Sequence, residues 1–138
     1  MKKQVLTLVG VLSLLLVAGS AFAQGGRIRA DIPFNFTVGH TTLPAGSYSL
    51  FTTGGTGSIL AIQGANRQAL ELVGSNQVQA SKLSDRTRLV FRCYGDRYFL
   101  AQVWTSGSRM GRELPKSNLE SEIAMDAAAH KVVLVASR

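Results

Sequence analysis

Arg88, Arg92, Tyr94, Arg97 and Phe99 are the residues of this chain whose types and spacing come nearest to chemistry. They lie in two alternating runs separated by Gly95-Asp96, a pair that suits a two-residue hairpin turn with Gly at its first central position. Hairpin pairing sets Tyr94 opposite Arg97, Cys93 opposite Tyr98, Arg92 opposite Phe99 and Phe91 opposite Leu100. The five side chains then share one sheet face. Guanidinium groups interleaved with rings can hold an anionic or sugar-like ligand by charge and stacking. The competing reading is that these cross-strand pairs satisfy one another and cover a half-exposed face. The other parity, Leu89, Phe91, Cys93, Tyr98, Leu100 and Trp104, is expected to be core.

Catalytic chemistry has few candidates. His40 and His130 are the two histidines, they are not paired at metal-ligand spacing, and Cys93 is the single cysteine, so no metal or cofactor is expected. No nucleophile elbow surrounds any serine and no Ser-x-x-Lys occurs. The alternative to a binding role is a small exported hydrolase that uses His40 or His130 with a nearby carboxylate. Gly54-Gly55-Thr56-Gly57-Ser58 resembles a phosphate cradle in composition only, because a strand rather than a helix is expected after it, and it reads as a hairpin loop. Cys93 sits at an apolar parity and is expected to be a buried thiol, the alternative being a disulfide to a second chain.

The elements that must position these residues are mostly strands. Ile28, Ala30, Ile32, Phe34, Phe36 and Val38 alternate with polar residues, with Pro33 marking a sheet edge or a local break. Gly39 to Gly46 turns the chain, and a second strand follows around Tyr48 and Leu50. Ile59 to Gln63 and Gln68 to Val73 read as strands joined by a turn at residues 64–67. The polar stretch from Gly74 to Asp85 holds a short strand around Val78. Near the end, Ser117 and Glu120 form a capping-box signature, and Leu119, Ile123 and Ala127 recur at helical spacing to about Ala129, a stripe that should pack on the sheet. His130 and Lys131 suit the negative end of that helix. Lys131 to Ser137 reads as a central strand, since both its faces are apolar.

Residues 1–23 have the form of a secretory leader: Lys2 and Lys3, an apolar run from Val5 to Ala18, then Ala21-Phe22-Ala23 as the cleavage signal. The run is too short for a comfortable membrane span, and none of that length follows it. The expected product is one exported domain, residues 24–138, periplasmic or secreted. Without Lys2 and Lys3, thirteen Lys and Arg face eight Asp and Glu, a net charge of +5. Outside the cytoplasm such a surface meets anionic envelope polymers or amphiphiles rather than nucleic acid.

Ala30-Asp31-Ile32-Pro33-Phe34-Asn35-Phe36, Leu43-Pro44-Ala45-Gly46-Ser47-Tyr48 and Leu114-Pro115-Lys116-Ser117, together with the leader, resemble segments of a group of small uncharacterised exported bacterial proteins. The resemblance runs over most of the chain after the leader and implies no reaction, cofactor or site residue. The expected fold is mainly β, an antiparallel sandwich or partly closed barrel of about seven to nine strands with one short helix. The expected role is that of a non-enzymatic envelope or periplasmic protein, structural or binding. Its ligand site would be the Arg/aromatic face, with a barrel interior holding an apolar ligand as a less favoured option.

Overall fold

Alternating apolar residues make one-sided strands, and a chain with a single cysteine, unable to form an internal disulfide, has to bury those sides against each other. A computed structural model shows how, describing residues 26–55, 57–65 and 70–137. The leader expected over residues 1–23 and the turn at residues 66 and 67 lie outside the described residues. Eleven strands and one helix are present among those described: β1 (Ile28–Ile32), β2 (Phe36–Val38), β3 (Thr41–Leu43), β4 (Gly46–Thr53), β5 (Ile59–Gly64), β6 (Leu70–Gly74), β7 (Asn76–Gln79), β8 (Arg88–Tyr94), β9 (Arg97–Trp104), β10 (Met110–Glu113), α1 (Asn118–Asp126) and β11 (His130–Val135).

The strands form two sheets. One has the order β1-β4-β5-β6, and the other β11-β8-β9-β10-β7 with β2 and β3 attached through β2 to β9. The protein is a mainly β sandwich with one short helix, and the sheets do not close into a barrel. Two differences from the sequence reading have local causes. The break at Pro33 sends β1 to the first sheet and β2 to the second, where β2 runs parallel to β9, the one parallel pairing described. The turn segment after Gly39 pairs as the short strand β3, so the strand count rises above nine.

The sheets are joined along both sides. Arg29 exchanges backbone hydrogen bonds with Ser137, 2.8 and 3.0 Å, linking β1 to the segment after β11. On the other side the chain turns from β6 into β7 at buried Ser75, whose N–H and hydroxyl donate to the Ser58 carbonyl at 2.8 and 3.0 Å. Arg112 fastens the same corner, donating to the Ser75 hydroxyl and carbonyl at 3.0 and 2.7 Å. The interior between the sheets is filled by side chains. Phe36 meets Tyr48 and Phe91 edge-on at 5.1 and 5.8 Å, Phe34 stacks on Tyr98 at 3.8 Å, and Leu50, Leu60, Ile62 and Leu89 complete the packing. Each such apolar side chain contributes about 1.5–3 kcal/mol on full burial, the term that stands in for disulfides here. Cys93 is a buried free thiol that donates to the Gly95 carbonyl at 3.1 Å.

The β8–β9 hairpin has the expected register from Tyr94–Arg97 to Phe91–Leu100, with Gly95 at φ +65° opening the turn. Beyond that a bulge intervenes. Val90 pairs with Gln102 and Phe91 with Leu100, so Ala101 is an extra residue on β9. The expected parity therefore ends there: Val103 joins Leu89 in the core between the sheets, while Trp104, buried as expected, lies opposite Arg88 on the other face of its sheet. There its ring covers Gly111. A Cβ at Gly111 would stand 2.6–2.8 Å from three indole atoms.

β11 corrects another expectation. It pairs with β8 alone over its length and is an edge strand, with Val132 and Leu134 turned to the core and Val133 and Val135 exposed. Two apolar faces do not require two covered faces when one of them meets water. The helix also stops at Asp126, earlier than Ala129, because β11 must begin at His130 to pair with Cys93, which leaves three residues for the connection. His130 and Lys131 consequently belong to β11 rather than to the helix end.

Gly111→Ala should destabilise the fold by about 1–3 kcal/mol, the cost of overpacking against Trp104. Gly74→Ala, where nothing lies within 4 Å of an added Cβ, should stay within about 0.5 kcal/mol. Denaturant unfolding of the two variants checks the contrast, and equal stability would show that the indole can move aside.

Candidate functional site

The five residues of the expected Arg/aromatic face are not equally free. Arg92 forms an ion pair with Glu120 of α1, from Nε to Oε2 and from Nη2 to Oε1 at 3.0 Å, and Nη2 also donates to the Leu114 carbonyl at 3.2 Å. The Tyr94 hydroxyl donates to the same carboxylate at 2.9 Å, and Phe99 packs edge-on against Tyr94 at 5.8 Å and is 2% exposed. Arg88 donates to the Ser84 hydroxyl at 2.6 Å and lies 5.5 Å over the Trp104 ring. Arg97 alone of the five is exposed, beside the turn.

The helix explains this arrangement. Ser117 caps it as the sequence indicates, its hydroxyl accepting from the Glu120 N–H at 3.2 Å. The Glu120 side chain does not close the box, however. It is the buried residue of α1, 2% exposed, and reaches Arg92 and Tyr94, so a carboxylate rather than an apolar stripe fastens the helix to the sheet. Burial first, then the hydrogen bond to Glu120 and the charge of its carboxylate, hold the Tyr94 phenol above its ordinary value of 10.0, with the Arg92 cation opposing them.

An open site exists on the opposite sheet. The outer face of β1, β4 and β5 carries a shallow depression of about 540 Å³, lined among others by Arg27, Arg29, Asp31, Ser47, Ser49 and Gln63. Strand register builds it: Arg29 pairs with Ser49 and Ser49 with Gln63, while Asp31 pairs with Ser47 in the next row. The Ser47 hydroxyl donates to Asp31. The Arg27 guanidinium lies 4.3 Å from the centre of the half-buried Phe51 ring. Among the described residues neither Arg27 nor Arg29 has a carboxylate within ion-pair distance; the ion pair found there is Arg92–Glu120. The depression thus offers two cations, the Ser49 hydroxyl and the Gln63 amide on open backbone-paired ground, with the Asp31 carboxylate and the Ser47 hydroxyl that donates to it at one end, a set that suits a charged or hydroxylated ligand.

Sequence reasoning placed the arginine-and-ring combination on β8 and β9 because those strands are adjacent in sequence and their register can be read. Arg29 and Asp31 were visible as the outward parity of β1. Their meeting with Ser49 and Gln63 depends on two successive strand pairings, Arg29 with Ser49 and Ser49 with Gln63, which no local pattern encodes.

The histidines stand apart from these clusters. His40 is exposed in the turn between β2 and β3, His130 is exposed at the start of β11 opposite Cys93, and among the described residues neither hydrogen-bonds a carboxylate. No group of three or more His, Cys, Asp or Glu placed to hold a metal ion occurs among the described residues. None of the described helices is long and apolar enough to cross a membrane. Comparison with protein-family models, with curated proteins and with solved structures found no match.

Removing Glu120 strands a partly buried guanidinium and a buried hydroxyl, so Glu120→Ala should cost about 3–5 kcal/mol, and Arg92→Met with Glu120→Met should recover most of that. A denaturant double-mutant cycle checks the pair; additive losses would show that the two do not act together. Because the folded Tyr94 holds its proton more tightly than the unfolded chain, this residue's contribution is complete below pH 10 and declines as pH rises through its raised value. Tyr94→Phe should lose about 1 kcal/mol at neutral pH and flatten the alkaline decline, which unfolding at a series of pH values would read.

Proposed function

We propose that this is an exported, non-enzymatic protein of the bacterial cell envelope or periplasm that binds an anionic ligand on the outer face of its four-stranded sheet. The observation that carries the reading is the depression at β1, β4 and β5, where Arg27 and Arg29 lie without carboxylate partners among the described residues, beside Ser47, Ser49 and Gln63. Cations left unneutralised on a face are available to an incoming anion, whereas Arg92 is already engaged by Glu120.

The leader-like residues 1–23 and the net charge of +5 that remains without them support an envelope setting, where phosphate- and carboxylate-bearing polymers and amphiphiles abound. The resemblance to small exported bacterial proteins points the same way. The β8–β9 hairpin keeps a lesser part in this reading: its Arg97 can add to the positive field, while Arg92, Tyr94 and Phe99 position α1.

Expression of the full chain in a bacterial host, followed by N-terminal sequencing of the exported fraction, should find the mature chain starting at Gln24. Intact protein confined to the cytoplasm would overturn export. Calorimetric titration of the exported protein with a polyuronate oligosaccharide and with a soluble short-chain phosphatidylglycerol should give a saturable signal with at least one. Arg29→Gln should weaken it about tenfold, the loss of a charged hydrogen bond. Saturable binding with neither probe would remove the reading, and a loss produced by Arg97→Gln alone would move the site to the hairpin.

A further inference from the structure

We infer that the outer face of the four-stranded sheet docks on the surface of an anionic lipid bilayer, an inference that rests on the anionic-ligand reading above and names its partner. The face has a direction. Arg27 lies over Phe51, Phe51 pairs with Ala61, and Ala61 pairs with Leu72; in the adjacent row Arg29 pairs with Ser49, Ser49 with Gln63, and Gln63 with Leu70. Both rows begin with an arginine at the β1 edge and end with a leucine at the β6 edge.

Leu70 and Leu72 are each 55% exposed, and Ile59 at the outward parity of β5 is 37% exposed. Three strand spacings of about 4.8 Å separate the two edges, roughly 14 Å in all. That distance fits a face tilted on a bilayer, with leucines entering to the depth of about 5–10 Å typical of interfacial attachment and arginines level with the phosphates. A soluble polyanion would use the arginine and serine half and leave the leucines in water. An anionic bilayer uses both halves.

Two carboxylates lie nearby. Asp31 accepts from the Ser47 hydroxyl at one end of the depression, and Glu71 lies between the two leucines at the opposite parity of β6. The second sheet also exposes apolar residues, Val133 and Val135 on β11, with the exposed Lys131 at the same parity beside them, whereas Arg92 is engaged by Glu120 and Arg88 donates to Ser84 and lies over Trp104. Two arginines with Ile59, Leu70 and Leu72, against one lysine with two valines, favour the first sheet, and the second provides the comparison.

The test is flotation of the exported full-chain product with phosphatidylglycerol–phosphatidylcholine vesicles and with phosphatidylcholine vesicles, alongside titration with polyuronate. Binding to the anionic vesicles alone is expected. Arg27→Gln with Arg29→Gln should weaken it roughly 25-fold, about fivefold per charge near an anionic surface. Leu70→Asn with Leu72→Asn should weaken it by about fivefold per leucine, from half-burial of each side chain, with an unchanged melting temperature. Val133→Asn with Val135→Asn should leave it unchanged.

Vesicle binding that ignores the leucine substitutions would overturn the inference and leave the anionic-ligand reading in place. Polyuronate saturation without vesicle binding would do the same. A protein that fails to bind vesicles and is a dimer made monomeric by the leucine substitutions would assign the face to a second copy instead. Absence of binding to every anionic probe would remove both readings.

Discussion

One extra residue on β9 governs much of this molecule. Ala101 has no partner on β8, and at that point β9 also changes its other neighbour, from β2 at Tyr98 and Phe99 to β10 at Gln102 to Trp104. The Ala101 carbonyl accepts the Leu114 N–H at 2.8 Å, one step beyond the Glu113–Gln102 pair, and so guides the chain from β10 toward the helix. The parity switch turns Trp104 outward over Gly111, where its indole donates to Gln102 and supports Arg88. A bulge bends and twists the strand that carries it, and here that bend lets one strand be flanked by two partners that are not themselves paired.

The sequence was most readable where structure is local. Alternation located most strands, the Gly95-Asp96 turn fixed four pairs of the central hairpin, and the Ser117 cap marked the start of the helix. Legibility ended where a contact joins distant residues. Glu120 reads as a capping residue because its neighbours are all that a sequence shows, yet its buried role depends on Arg92, 28 positions away. Nothing in a run of valines separates a central strand from an edge strand, so β11 was misplaced. The depression was least legible of all, being a product of register across three strands.

The arginines show how one residue type is put to unlike uses. Arg112 secures the corner at Ser75 and Arg92 secures α1, both through the planar fork that lets one guanidinium hold two acceptors at once. Arg27 and Arg29 make no such commitment to carboxylates among the described residues. Composition alone reports a basic protein; the distinction between cations that build the fold and cations left available emerges only with the contacts.

The seam between Arg29 and Ser137 ties folding to the order in which the chain emerges. All four strands of the first sheet lie before Ser75, so that sheet can pair early, but its inner face of Leu50, Leu60 and Ile62 has only β2 and β3 to cover it until β8 and β9 arrive. The boundary at β1 stays open until the segment after β11 is available. A chain emerging from its N-terminus would therefore reach its native state only when its last strand is available, and until then would keep apolar surface in need of shielding.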